Sequence, residues 1–222
     1  MISIAIDGPA GAGKSSVSKA VAKEMGFVYV DTGALYRTVA LSLINNGISP
    51  SDTEGVKAHL GSVKVDMAYE DGEQRVMLNG RDVTDEIRTP EVSMAASTSS
   101  AIPEVRAFLL GLQREIAENH DIVMDGRDIA TVVLPNATVK IFLTAAAEDR
   151  ATRRYKELIL KDPNTKYEDV LRDVIKRDKN DSERAVAPLK PAEDSVIVDT
   201  TGNTLEESVE IIKNIIEKSI GR

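Results

Sequence analysis

The densest chemistry in this chain lies near its start, in Gly8-Pro9-Ala10-Gly11-Ala12-Gly13-Lys14-Ser15, a G-x-x-x-x-G-K-S spacing. Such a run is suited to holding a polyphosphate. Its glycines let the backbone turn N–H groups inward around an anion. Lys14 can reach the β- and γ-phosphates as a mobile point charge, and the Ser15 hydroxyl can bind Mg²⁺. The candidate contacts for a nucleoside triphosphate are therefore Gly8, Pro9, Ala10, Gly11, Ala12, Gly13, Lys14, Ser15 and Ser16.

Three further segments gather charge and hydroxyls. They are Asp31-Thr32-Gly33-Ala34-Leu35-Tyr36-Arg37, Asp125-Gly126-Arg127-Asp128, and the stretch from Arg177 through Asp181 and Arg184 to Pro188. Arginine suits planar, bidentate recognition of phosphate. A phosphate loop accounts for one substrate, so these arginines point to a second anion.

Those residues need elements to position them. Ile2–Asp7 reads as a short buried strand, and Val17 to Met25 as a helix after the glycine-rich loop. Further short apolar runs, Phe27–Asp31, Ile122–Met124, Val139–Leu143 and Val196–Asp199, alternate with helical patterns. That alternation predicts an α/β fold with a five-stranded parallel sheet and helices on both faces. Ligands in such folds bind beyond the carboxyl ends of the strands, where two of the charged segments fall. Thr204 with Glu207 reads as a capping box opening the last helix. Thr89-Pro90 reads as an N-cap with a first-turn proline, and Pro103 opens another helix. From Val63 to Val83 the pattern changes to short strands separated by Asp71-Gly72 and Asn79-Gly80, which predicts a small three-stranded antiparallel insert. The charged stretch from Lys156 to Asp173 reads as a short helical lid.

The chain has 222 residues, 42% of them hydrophobic, no cysteine and a net charge of −8. This length suits a single domain with a smaller inserted unit. The lack of cysteine excludes disulfides, thiolate zinc sites and thiol nucleophiles. The chain begins almost directly in a strand, without a basic leader, and no stretch is long and apolar enough to cross a bilayer. A soluble cytoplasmic protein with no membrane partner is the expectation. The acidic balance argues against nucleic-acid binding, because its field would repel phosphate backbones. No extended apolar heptad is present, so a monomer is expected.

Taken together, Gly8 to Ser15, Asp31 to Arg37, Asp125 to Asp128 and Arg184-Ala185-Val186-Ala187-Pro188-Leu189 resemble the bacterial cytidylate kinases, nucleoside monophosphate kinases of the P-loop NTPase superfamily. The resemblance runs over nearly the whole chain, including the insert. It departs at Thr32, where family members often have serine; the hydroxyl is retained. It implies phosphorylation of CMP and dCMP by ATP with Mg²⁺. It also implies one kinase domain over residues 1–222, with a core at about 1–35, 105–155 and 174–222. The acceptor-nucleotide region would lie at about 36–104 and the lid at about 156–173.

The resemblance carries residue roles as well. Arg37, Arg127 and Arg184 match the clamp on the acceptor phosphate, and Ser97, Arg106 and Asp128 match the positions that read cytosine. Cytosine offers an amino donor to a carboxylate and two acceptors to an arginine and a hydroxyl. Uracil reverses two of these groups and would leave Asp128 facing an oxygen. Asp181 matches a ribose contact, with Arg177 one helical turn away. Thr32 and Tyr36 join the CMP-binding set. Lys14, Arg127, Arg153 and Arg184 form the expected catalytic set, with Arg153 reaching the triphosphate as an arginine finger does.

Plainer readings stand beside these. Arg150 reads as part of an ordinary charged helix face. Asp125 could hold Mg²⁺ through water or cap the following turn. His59 and His120 sit in polar surroundings and read as surface or capping groups. Other phosphate-loop kinases, acting on UMP, AMP or shikimate, would lack the Ser97, Arg106 and Asp128 set and the insert. A switch GTPase would need an N/T-K-x-D motif; Asn164-Thr165-Lys166-Tyr167-Glu168 comes nearest and has no aspartate in place. A translocase would want a strand ending in Asp-Glu, and this strand ends in Asp125-Gly126.

Overall fold

A computed structural model describes residues 1–70, 73–160 and 162–221. In chain order its elements are β1 (Ser3–Asp7), α1 (Lys14–Met25), β2 (Val28–Asp31), α2 (Thr32–Asn45), α3 (Thr53–Leu60), β3 (Val65–Glu70), β4 (Glu73–Leu78), β5 (Arg81–Asp82), α4 (Pro90–Ser99), α5 (Pro103–Asn119), β6 (Ile122–Gly126), β7 (Val139–Thr144), α6 (Ala147–Ile159), α7 (Tyr167–Glu183), β8 (Val196–Asp199) and α8 (Leu205–Ile220). The chain divides into two compact units. Unit 1 is Met1–Tyr29 with His120–Arg222, and unit 2 is Val30–Asn119.

Unit 1 is built on the five-stranded sheet, in the order β2-β6-β1-β7-β8. β1 pairs in parallel with β6 and β7, and β7 with β8. The central strands have no polar alternation because both faces are covered: Ile4, Ala5, Ile6, Val123 and Ile141 are wholly buried. α1 and α8 pack together and share one core with these strands, supplying Val17, Val21, Ile212 and Ile216. α8 opens with the expected capping box: Thr204 Oγ1 accepts from Glu207 N at 3.2 Å, and Glu207 Oε2 accepts from Thr204 N at 2.8 Å. The register opposes Asp7 to Gly126, so β1 and β6 end level. The phosphate loop and the Arg127-Asp128 turn therefore leave the sheet side by side.

β6 runs two residues beyond the strand expected from the sequence, through Asp125 and Gly126. Neither residue is apolar, but main-chain pairing with β1 extends it. The segment expected as a lid forms the end of α6 and the start of α7, which pack on each other around Ala151, Val170 and Val174. Tyr155 and Tyr167 meet edge to face across this pair, with centroids 6.0 Å apart. Lys161, inside that segment, lies outside the described residues.

Unit 2 packs α2, α4 and α5 around Leu35, Val39, Leu43, Val105 and Leu109. Thr89 caps α4 by accepting from Val92 N, with Pro90 in the first turn. The insert is present as the antiparallel sheet β3-β4-β5. Asn79 and Gly80 connect β4 to β5 with φ of 51° and 82°, the paired positive values that a tight hairpin turn requires. The turn expected at Asp71-Gly72 lies outside the described residues. Val65, Val76 and Leu78 point from the sheet into the unit 2 core.

Candidate active site

The phosphate loop begins where β1 ends. Gly8 has φ 151°, and a Cβ there would overlap the Leu143 carbonyl oxygen of β7. Only glycine lets the chain leave the sheet at that point. The loop closes at Gly13, the residue before α1, also with positive φ (86°). The N-terminus of α1 thus opens straight from the loop, which suits an anion. Lys14 is 5% exposed and folds back to donate to the Pro9 carbonyl at 2.8 Å. Burial, reinforced by Arg127, pushes the Lys14 ammonium down to about 7, although Asp125, Asp7 and Asp181 oppose this. Ser15 Oγ donates to Asp125 Oδ2 at 2.8 Å. Tyr29 Oη donates to the other oxygen at 3.3 Å.

The turn after β6 is held from β1. Asp7, 1% exposed, accepts from the backbone N–H groups of Ile129 and Ala130, both at 2.8 Å. Those residues open a π-helical turn, Ile129–Val133, a form frequent at functional sites. Burial lifts the Asp7 carboxyl to about 6 against these two hydrogen bonds, with Asp128 adding to the rise. Arg127 Nε donates to Asp181 Oδ2 of α7 at 2.8 Å. Burial alone would raise the Asp181 carboxyl; the Arg127, Arg184 and Arg177 guanidiniums outweigh it and hold it below the usual range. Arg184 Nη2 lies 3.9 Å from Asp128 Oδ1, both side chains almost fully buried, while its Nε donates to Ala187 O at 2.7 Å.

α6 supplies two arginines to the phosphate loop. Arg153 Nη2 donates to Asp149 Oδ2 at 2.6 Å and to Thr200 O at 2.8 Å, and its Nη1 lies 3.5 Å from Ala12 O. The reading of Arg150 as a solvated helix face is overturned. It is 4% exposed, and its guanidinium is fully engaged. It donates to Ala145 O (2.8 Å), to Ala10 O of the loop (2.8 Å), and to both carboxylate oxygens of Asp178 on α7 (3.1 and 2.6 Å). Periodicity marked its helix as charged; only the crossing of α7 and the loop makes that face an interior.

Unit 2 holds its own cluster. Asp31 caps α2, accepting from Ala34 N at 2.9 Å, and its other oxygen accepts from Arg37 Nη2 at 2.8 Å. Burial raises the Asp31 carboxyl, but the Arg37 guanidinium, the Ala34 N–H and the charge of Arg88 prevail and lower it. Gly33 makes room for this fold-back: a Cβ there would lie 3.0 Å from Arg37 Nη1 and 3.1 Å from Asp31 Oδ1. Arg37 Nε is buried and has no hydrogen-bond partner among the described residues. Thr32 is buried in the first turn of α2. Arg106, 8% exposed, sits over the Tyr36 ring at 5.4 Å and donates to Ser100 O at 3.3 Å. Ser100 Oγ in turn donates to Ser97 O at 3.0 Å, which brings the end of α4 to Arg106.

A family model described as "Cytidylate kinase" matches residues 4–218. The chain belongs to the cytidylate kinase family. A cytidylate kinase of Carboxydothermus hydrogenoformans is 50% identical over 213 residues, covering 96% of this chain and 96% of that one. One of Caldicellulosiruptor bescii is 48% identical over 219 residues, covering 99% and 97%. Among solved structures, an uncharacterized protein from Eubacterium ventriosum covers the full length of both chains with a TM-score of 0.53 at 13% identity, a likeness of fold alone.

Seen as a cytidylate kinase, unit 1 brings together Lys14, Ser15, Asp125, Arg127, Asp128, Arg153, Asp181 and Arg184, with Arg177 near enough to Asp181 to affect its charge. Unit 2 separately pairs Arg37 with Asp31, the residue before Thr32, and sets Arg106 over Tyr36 and against Ser100, whose hydroxyl meets the Ser97 carbonyl. Sequence reasoning gave no holding role to the residues that secure these groups: Asp7, Asp31, Gln74, Arg150 and Asp178. Asp7 carried a signal, as the one acid in an otherwise apolar strand end. Asp31 sat in the α2 capping position before a helical pattern. Gln74, Arg150 and Asp178 carried none, because their partners are distant in sequence.

Proposed function

We propose that this chain transfers the γ-phosphoryl group of ATP to CMP and dCMP, in line, giving CDP and dCDP. The observation that carries this reading is the cluster in unit 1, where the phosphate loop and the Arg127-Asp128 turn leave neighbouring strands side by side, Arg127 pairs with Asp181 at 2.8 Å and Arg184 lies 3.9 Å from Asp128. Phosphoryl transfer asks a protein mainly for positioning and charge stabilisation. Lys14 leaves the Pro9 carbonyl to meet the donor phosphates, and Arg153 stabilises charge on the transferring group. Arg127 and Arg184 neutralise the acceptor phosphate, while Asp128 accepts from the cytosine amino group. Asp181 holds the ribose with Arg177 beside it.

In unit 2, Arg37 is read as a third phosphate-binding guanidinium, and its buried Nε–H, without a hydrogen-bond partner among the described residues, supports that role. Ser97 and Arg106 are read as cytosine contacts, with Tyr36 and Thr32 alongside. Residues 36–104 are then the acceptor-nucleotide region and 156–173 the lid.

Ser15 and Asp125 offer a hydroxyl and a carboxylate already in contact, a hard-oxygen pair that suits Mg²⁺. No group of three or more histidines and acids that could hold a metal occurs among the described residues. Mg²⁺ is commonly held by one or two protein ligands and completed by water and substrate phosphates. When bound, Mg²⁺ would supply charge neutralisation on the donor phosphates. No helix among the described residues is long and apolar enough to cross a membrane. A monomer working in the cytoplasm, with no nucleic-acid partner, completes the reading.

The test is ADP release with CMP, dCMP, UMP, AMP and GMP offered in turn. CMP and dCMP should give the highest kcat/KM. Faster turnover with any of the other three would overturn the assignment.

A further inference from the structure

Strand β4 carries a polar residue in an apolar register. Val76 and Leu78 face the unit 2 core, and Gln74 lies two residues earlier on the same face. A half-buried amide there is costly unless both of its ends are matched. Gln74 meets this with one partner residue. Its Oε1 accepts from Asp31 N at 2.7 Å, and its Nε2 donates to Asp31 O at 3.3 Å. β4 is itself pinned at this point, since Val76 N donates to Thr84 Oγ1 and Val83 N donates to Val76 O, both at 2.9 Å.

Asp31 is the residue whose carboxylate caps α2 and grips Arg37. The side chain of Gln74 thus fixes the backbone on which that carboxylate stands. A guanidinium held by a fixed carboxylate keeps its fork aimed before the anion arrives. Released from it, the long arginine side chain must be ordered at the moment of binding.

We propose that Gln74 is a positioning residue: acting through Asp31, it preorganises Arg37 for the acceptor phosphate. The β3-β4-β5 insert thereby serves monophosphate affinity through one amide. This rests on the reading of Arg37 as a phosphate-binding residue.

The experiment is a steady-state double-mutant cycle on the full chain, combining Gln74→Met with Arg37→Ala. Methionine keeps the volume on the core face and removes both hydrogen bonds. Gln74→Met should raise KM for CMP about tenfold, with kcat and KM for ATP within about twofold of the parent. In the Arg37→Ala background the same change should add less than about twofold. An equal loss in both backgrounds, or a parallel rise in KM for ATP, would assign Gln74 a merely structural role and overturn the proposal. An unchanged KM for CMP would do the same. If Arg37→Ala alone leaves KM for CMP unchanged, the phosphate role of Arg37 falls, and the proposal with it. Gln74→Ala, which adds no bulk, runs through the same cycle if the methionine variant folds poorly.

Discussion

Replacing Arg150 by methionine should cost far more than removing a surface charge. The guanidinium makes four hydrogen bonds: two to the carbonyls of Ala10 and Ala145, and two to the Asp178 carboxylate. Each bond to a neutral carbonyl contributes about 1 kcal/mol net, and the charged pair about 2 kcal/mol. Removing one partner of a buried ion pair costs roughly 3–5 kcal/mol, because the other charge is stranded. Asp178 keeps 26% of its side-chain surface in water, so part of its hydration returns. A loss of about 3–4 kcal/mol is expected. For a chain of this size that lowers Tm by about 6–16 °C. Urea unfolding followed by circular dichroism reads it as a lower midpoint at unchanged slope. Arg150→Lys should recover less than half, since an ammonium cannot reproduce the fork. KM for ATP should also rise, because Ala10 belongs to the phosphate loop. A cost under 1 kcal/mol for Arg150→Met would refute the reasoning and return this residue to an ordinary helix face.

Protons provide a second test. With Lys14 pushed down to about 7 in the free chain, a bound triphosphate must restore its charge, and at pH 8 that takes up about 0.9 proton per ATP. Titration calorimetry in Tris and in HEPES should show the difference, and Lys14→Met should abolish it; equal heats in both buffers would contradict it. The sign for stability follows from the same shift. Between pH 7 and the ordinary value of 10.5 the unfolded chain binds the extra proton, so this group's contribution to stability rises with pH, and Lys14→Met should flatten that rise in urea midpoints. Gly8→Ala forces a Cβ onto the Leu143 carbonyl at φ 151° and should cost about 3 kcal/mol or more with loss of ATP turnover, measured by thermal unfolding and ADP release. Asp128→Asn should reduce the CMP-over-UMP ratio of kcat/KM at least about tenfold; an unchanged ratio would remove Asp128 from base reading.

Much of the fold was legible because its signals are local. The buried runs of β1 and β7, the short apolar run of β8, the Thr204–Glu207 capping box and the Asn79-Gly80 turn each depend on a few neighbouring residues, and each formed where the sequence placed it. The phosphate loop was legible for the same reason, since its geometry is set within nine consecutive positions, Gly8 to Ser16. The clusters around it were legible as types of residue without their partners. Nothing near Arg127 in sequence names Asp181, 54 positions on, and nothing near Arg150 names Ala10, 140 positions back.

By itself, then, the sequence determined the α/β class, the antiparallel insert, the phosphate loop and the family to which the residues point. Tertiary structure alone decided how the working groups are held: Asp7 under the π-helical turn, Arg150 bolting α7 to the loop, and Gln74 bracing Asp31. Turns and caps are settled by short-range sterics and hydrogen bonds within a few residues. A buried charge or amide finds its partner only when distant elements pack, and that packing also determines whether it is stabilised, shifted in pKa or left for a ligand.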